Sequence, residues 1–249
     1  MGLFKKTPKE KFEKANLSSS GSKMLKLAEE GMQKAMTNVA FRYESGMGLK
    51  KDPEKALYWV NLAANEDKYG ISEDTAEAYF IKANILLSVD NEEQNKLSFE
   101  SFKKAYEIAF KASDNSVIGM EAGISLSRFY TEKEENEKAK EILIFLKDKN
   151  SIDALFELAL FNYYEENDLI GSLNLFDVLL KNDTINREDI LFEFGNIRMD
   201  HMAKMRKLSL EEVSLKNIDE TKALLDFCEK TETETLVIDE IENFLKKVM

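Results

Sequence analysis

The chain has 249 residues, of which 43% are hydrophobic, with two prolines and ten glycines; so little turn-forming residue favours long helices over hairpin-rich sheets. Its 35 Lys and Arg stand against 47 Asp and Glu, net −12, which disfavours a nucleic-acid partner for the main surface. No window approaches the roughly eighteen uninterrupted apolar residues of a membrane span.

The first segment is basic. Residues 1–26 carry seven lysines against Glu10 and Glu13, net +5, leaving −17 for the rest. Met1-Gly2-Leu3-Phe4-Lys5-Lys6 lacks the apolar run and cleavage site of a secretory signal, and Lys6 stands where a myristoylation motif wants Ser or Thr. Residues 1–22 are expected as a basic, flexible tail, with Ser18-Ser19-Ser20-Gly21 either as a linker or as a loop after a short helix over 8–15.

A repeat begins next. Residues 35–64 read Ala35-x3-Val39-Ala40-x2-Tyr43-x2-Gly46-x-Gly48-Leu49-x2-Asp52-x2-Lys55-Ala56-x2-Trp59-x3-Ala63-Ala64. Gly46 and Gly48 let the chain leave a helix through positive φ, and Asp52-Pro53-Glu54 supplies an N-cap, an N1 proline and a first-turn acid for the next. Small residues then recur at two series of positions, Ala40, Ala83, Ser127, Ala159 and Gly195 on first helices and Ala56, Ser98, Ala139 and Ser172 on second ones. Helices approach closely only where side chains are small, so the two series mark antiparallel crossings. The first series is spaced 43, 44, 32 and 36 residues apart, which fits repeats of about thirty-four residues with loop insertions at 67–74 and 89–96 and a longer start at 113–119. After Asp200 the pattern fades, and helices near 219–230 and 234–248, joined by a polar stretch over 231–235, read as a cap.

The 35–64 pattern strongly resembles the SEL-one-like repeat, a tetratricopeptide relative, with Leu27-Ala28-Glu29-Glu30-Gly31 similar to the end of a preceding repeat and Ala40 where the family usually has glycine. Ala76-Glu77-Ala78-Tyr79, Glu121-Ala122-Gly123-Ile124 and Asp153-Ala154-Leu155-Phe156 resemble tetratricopeptide openings, though Lys82 sits at a usually apolar position. The resemblance implies an all-α fold, a right-handed α/α superhelical solenoid of helix-turn-helix repeats over residues 23–207 with a C-terminal helical cap over 208–249.

Catalytic chemistry has little footing. His201 is the only histidine, so zinc sites and His-based dyads are excluded or crippled, and it is expected on the surface. Cys228 lies in an amphipathic run and reads as a buried, inert thiol; being the single cysteine, it makes no internal disulfide, which points to the cytoplasm. Gly46-Met47-Gly48-Leu49-Lys50-Lys51 follows a helix rather than a strand, unlike a phosphate loop. Glu134-Glu135 and Glu165-Glu166 read as solvated surface, no cofactor is implied, and Met199, Met202 and Met205 are expected under the cap.

In the tetratricopeptide solenoids that the repeats resemble, first helices line a concave groove. Carried over by position, its rows are Lys34, Glu77, Glu121, Asp153 and Asp189; Thr37, Phe80, Ile124, Phe156 and Phe192; Phe41, Asn84, Arg128, Leu160 and Asn196; and Glu44, Leu87, Thr131, Tyr163 and Met199. Residues for a carboxylate clamp are missing. The rows form an apolar ladder with an acidic border, suited to a basic amphipathic protein or peptide, although Phe80, Phe156 and Phe192 could instead pack against neighbouring helices. The expected role is therefore a non-enzymatic, cytoplasmic, bacterial adaptor, an immunity or inhibitor protein being one variant. The alternative is a peptide- or ligand-responsive sensor.

Overall fold

The computed structural model describes residues 7–17, 21–89, 91–182, 186–231 and 233–249. Residues 1–6, residues 18–20 of the expected linker and residue 232 of the polar joint lie outside these. The described residues form α-helices joined by turns, in two compact units, residues 1–139 and 140–249. The division falls inside a helix.

In the first unit, α1 (Pro8–Asn16) lies within the segment expected as a tail. Thr7 and Glu10 close a capping box around its first turn, and Ala15 is buried, because reciprocal side-chain bonds satisfy two otherwise orphaned N–H groups. Next come α2 (Ser22–Glu29), α3 (Gln33–Ser45) and α4 (Pro53–Ala63). The α3–α4 turn follows the sequence closely. Gly46 takes φ 76° and its N–H donates to the Arg42 carbonyl at 3.0 Å. Asp52 then accepts from the Lys55 N–H, with Pro53 as the first helical residue.

Of the residues expected as a loop insertion at 67–74, 67–69 lie in α5 (Glu66–Tyr69) and 73–74 open α6 (Glu73–Leu87), so only 70–72 form a loop. Tyr69 Oη donates to the Gly31 carbonyl at 3.3 Å, and Tyr79 Oη donates to Glu66 at 2.9 Å; contacts made far along the chain hold this turn. The 89–96 insertion is mostly helix as well, because Asn91 caps α7 (Glu92–Ala112) and starts it early. Ser116 caps α8 (Val117–Glu132), and α9 (Asn136–Asp148) carries the division between units.

The second unit continues with α10 (Ile152–Tyr164), α11 (Leu169–Leu180), α12 (Arg187–Lys207), α13 (Leu215–Lys230) and α14 (Thr235–Val248). Leu224, Phe227, Cys228, Ile241 and Leu245 from α13 and α14 close one core with Ala159, Phe176, Ile190 and Ile197. That is the expected cap.

The crossing positions are buried: Ala40, Ala83, Ala159, Ala56, Ser98, Ala139 and Ser172 are fully enclosed and Ser127 nearly so. Ser98 Oγ donates to the Ala83 carbonyl at 2.9 Å, which fastens one crossing directly. Gly195 departs from the series. A Cβ placed on it would meet no atom within 4 Å. Here α12 meets α13 through large rings, Phe194 and Phe227 with centroids 4.6 Å apart, so no close backbone approach is needed.

Candidate functional site

In the first unit, α3 packs on α6 and α6 on α8, which brings their first-helix faces together. Phe41 is 42% exposed and borders a cleft of about 250 Å³ with Lys34, Thr37, Asn38, Glu77 and Ile81. Phe12 of α1 completes it. Position-by-position reasoning on the repeats missed this residue, although its signal, one aromatic in a lysine-rich helix with Ala15 three residues on, was present. Asn16 fixes α1 in place by accepting from Asn38 Nδ2 at 3.2 Å and, through its carbonyl, from Arg42 Nη2 at 3.3 Å. Glu77 is half-buried, and burial raises its carboxyl above the usual range; Lys34 opposes the shift, and the nearby acids Asp74, Glu121 and Glu73 add to it.

The remaining predicted residues of this unit divide by depth. Asn84, Glu121 and Arg128 are exposed, and Asn84 Nδ2 donates to the Phe80 carbonyl at 2.9 Å. Phe80 is half-buried, edge-on to Phe102 with centroids 5.6 Å apart. Ile124 is buried, so it supports the face from beneath instead of forming it.

In the second unit Asp153 and Asp189 are exposed near the starts of α10 and α12. Phe156 is half-buried edge-on to Phe176 at 6.0 Å, and Leu160 packs against the core. Tyr163 is not on the surface. It is buried, and its hydroxyl donates to Asp200 Oδ2 at 2.7 Å, with Lys204 2.8 Å from the same oxygen. Burial and the Asp200 bond both push the Tyr163 phenol far up. Asn196 is half-buried and donates to Glu193 at 3.3 Å.

Phe192 and Met199 stand apart from these at 68% and 58% exposed. Seven residues separate them, so they share one face of α12, with Gly195 open between them. Beside Met199 lies a cleft of about 300 Å³ lined by Arg198, Met202, Val237 and Ile241, with the Arg206–Glu240 ion pair at its edge. The methionine stripe therefore splits: Met202 and Met205 are core, and Met199 is surface.

His201 corrects the surface expectation. It is 3% exposed, with Nε2 3.1 Å from Thr221 Oγ1. The Thr221 hydroxyl donates to the Asn217 carbonyl at 2.7 Å, so the imidazole is the donor to Thr221. Burial and then Lys204 push its pKa down to about 4, against the opposing pull of Asp200. Cys228 is buried, and burial is the chief cause of its raised thiol pKa, which suits an inert side chain. Glu166 pairs with Lys140 and Glu135 with Lys138. Among the described residues no group of His, Cys, Asp and Glu could hold a metal ion, and no helix is long and apolar enough to cross a membrane.

No family model matches the sequence, and no curated protein matches it. Solved structures do resemble the fold. A Sel1 repeat protein from Oxalobacter formigenes superposes with a TM-score of 0.52 at 13% identity, over 92% of this chain and 78% of its own. The human IFIT1 dimer with PPP-AAAA gives a TM-score of 0.57 at 15% identity, over 90% of this chain and 49% of its own, so the chain spans about half of that protein. The chain has the Sel1-like, tetratricopeptide-like helical-repeat fold.

Proposed function

We infer that this chain is a non-catalytic interaction scaffold whose first-helix faces hold a basic amphipathic segment of another protein. The observation that carries this reading is the exposed pair Phe192 and Met199 on one face of α12, whose first turn, Arg187, Glu188 and Asp189, is net acidic. Two large apolar side chains left in water suit a partner helix with an apolar stripe, and Glu188 and Asp189, one turn before Phe192, suit a flanking lysine or arginine at that end, whereas Met199 has Arg198 and Arg206 beside it. In the first unit Phe41, beside half-buried Glu77, offers the same pairing on a smaller scale. Work in the cytoplasm agrees with a single, buried, free cysteine.

Phe80 and Phe156 rest on core rings, so the informative variants are Phe192→Asp and Met199→Asp. Affinity capture from the native cell followed by binding measurements on the recovered partner is expected to show loss of binding in both, with unchanged thermal unfolding. Undiminished binding by the folded double variant would refute the reading.

A further inference from the structure

The first unit has a further recess. It is a cleft of about 680 Å³ between α7 and the end of α8, and none of the groove positions named above lines it. It arises from the early start of α7. Ser98 is the seventh residue of its helix, whereas Ala56, at the equivalent crossing position, is the fourth of α4. The additional residues 92–94 carry Glu92 and Glu93 towards the end of α8, and Asn95 continues the wall they begin.

Three features of this recess ask for the same chemistry. Phe99 and Phe129, with centroids 5.8 Å apart at 67°, supply aromatic surface, and the Lys133 ammonium already sits 3.8 Å from the Phe99 centroid. Aromatic faces attract cations. Asn95 Oδ1 is buried with no hydrogen-bond partner, and an enclosed acceptor of this kind is costly until a donor reaches it. Glu92, Glu93, Glu100 and Glu132 line the cleft against Lys96 and Lys133 alone, which leaves it net negative.

A guanidinium answers all three, since it is planar, permanently charged, stacks on rings and carries five N–H donors. An incoming ammonium would gain little over the lysine already in place. We propose that this cleft receives an arginine side chain of a partner protein, which displaces Lys133 from Phe99 and donates to Asn95. Lys133 is then a built-in competitor. None of its lining residues belongs to the α12 face, so Phe192→Asp and Met199→Asp change no residue of this cleft and either proposal can fail alone.

The test is a titration of the full chain, followed by NMR of the Asn95 side-chain amide and the phenylalanine rings. Three probes are used: N-acetyl-arginine amide, N-acetyl-lysine amide and N-acetyl-arginine. The arginine amide is expected to saturate and to bind about fivefold or more tighter than the lysine amide, the scale of one good cation–π contact. N-acetyl-arginine should bind more weakly than its amide, because its free carboxylate has no ammonium to offset it and the cleft is net negative. Lys133→Ala, an exposed change at the end of α8, should tighten binding of the arginine amide, and Phe99→Leu, which keeps apolar bulk without the aromatic face, should weaken it. Equal affinity for the two amides, no saturation, an unchanged affinity in either variant, or N-acetyl-arginine binding as well as its amide would overturn the proposal.

Discussion

Ser98 and Ser172 occupy equivalent positions on the second helices of their hairpins, and both are fully buried. Their hydroxyls differ. Ser98 Oγ donates to the Ala83 carbonyl at 2.9 Å, whereas Ser172 Oγ has no hydrogen-bond partner. Replacing Ser98 by alanine removes a bond worth about 1 kcal/mol and returns about 0.5 kcal/mol of helix propensity. Ala83 lies inside α6, where the helix ladder supplies its carbonyl with another donor, so no orphan is created and the net loss is about 0.5 kcal/mol. Replacing Ser172 relieves an unpaired buried hydroxyl, worth about 1 to 2 kcal/mol, and gains the same propensity term. Ser98→Ala should therefore destabilise and Ser172→Ala should stabilise, with a separation of about 2 to 3 kcal/mol. Urea unfolding would measure this, with the single tryptophan, Trp59, reporting on the unit that contains Ser98 and far-ultraviolet circular dichroism reporting on both. Shifts of the same sign would show that hydroxyl pairing does not govern these crossings.

Two glycines give another contrast: Gly46→Ala, at φ 76°, should cost about 1 kcal/mol, while Gly195→Ala, mid-helix with open space around it, should gain about 0.5 to 1 kcal/mol, both read from unfolding midpoints. Ala83→Leu puts three more carbons into a closed crossing and should lower stability by about 1 to 3 kcal/mol in the same assay. His201 stays neutral in the folded state down to about pH 4, whereas the unfolded imidazole takes up its proton near 6.5, so stability present above 6.5 is lost as pH falls towards 4, by up to about 3 kcal/mol. Glu220, whose carboxyl is raised chiefly by burial, offsets part of this loss at the acid end; urea midpoints near neutral pH and near pH 5 should show a shallower pH dependence in His201→Gln than in wild type.

What could be read from the residues was mainly volume and turn chemistry. Ala40 and Ala56, or Ala83 and Ser98, declare a close crossing by size alone, and Gly46 through Pro53 declare a turn by backbone preference. Exposure was harder. Phe80, Phe156 and Phe192 hold the same repeat position, yet Phe102 and Phe176 lie beneath the first two while Phe192 stays in water; the difference lies in what the opposite helix presents. Phe12 escaped because the repeat pattern begins after it. His201 was legible but unread, since Ile190, Phe194, Ile197 and His201 follow the i, i+4, i+7, i+11 spacing of one helix face. The turn at α5 could not be inferred locally, because four residues do not hold a helix in water by themselves.

That short turn has a mechanical consequence. Glu66 takes hydrogen bonds from Tyr79 and Lys104, Tyr69 reaches back to Gly31, and Gln33 Nε2 donates to the Ala63 carbonyl and to Thr75 Oγ1. Apolar helix faces can rock against one another at little cost, but directional bonds tolerate only small changes of angle and distance. The joint between the α3–α4 and α6–α7 hairpins is therefore latched in one register and stiff. A bend of the first unit would therefore have to be taken up at its other joints.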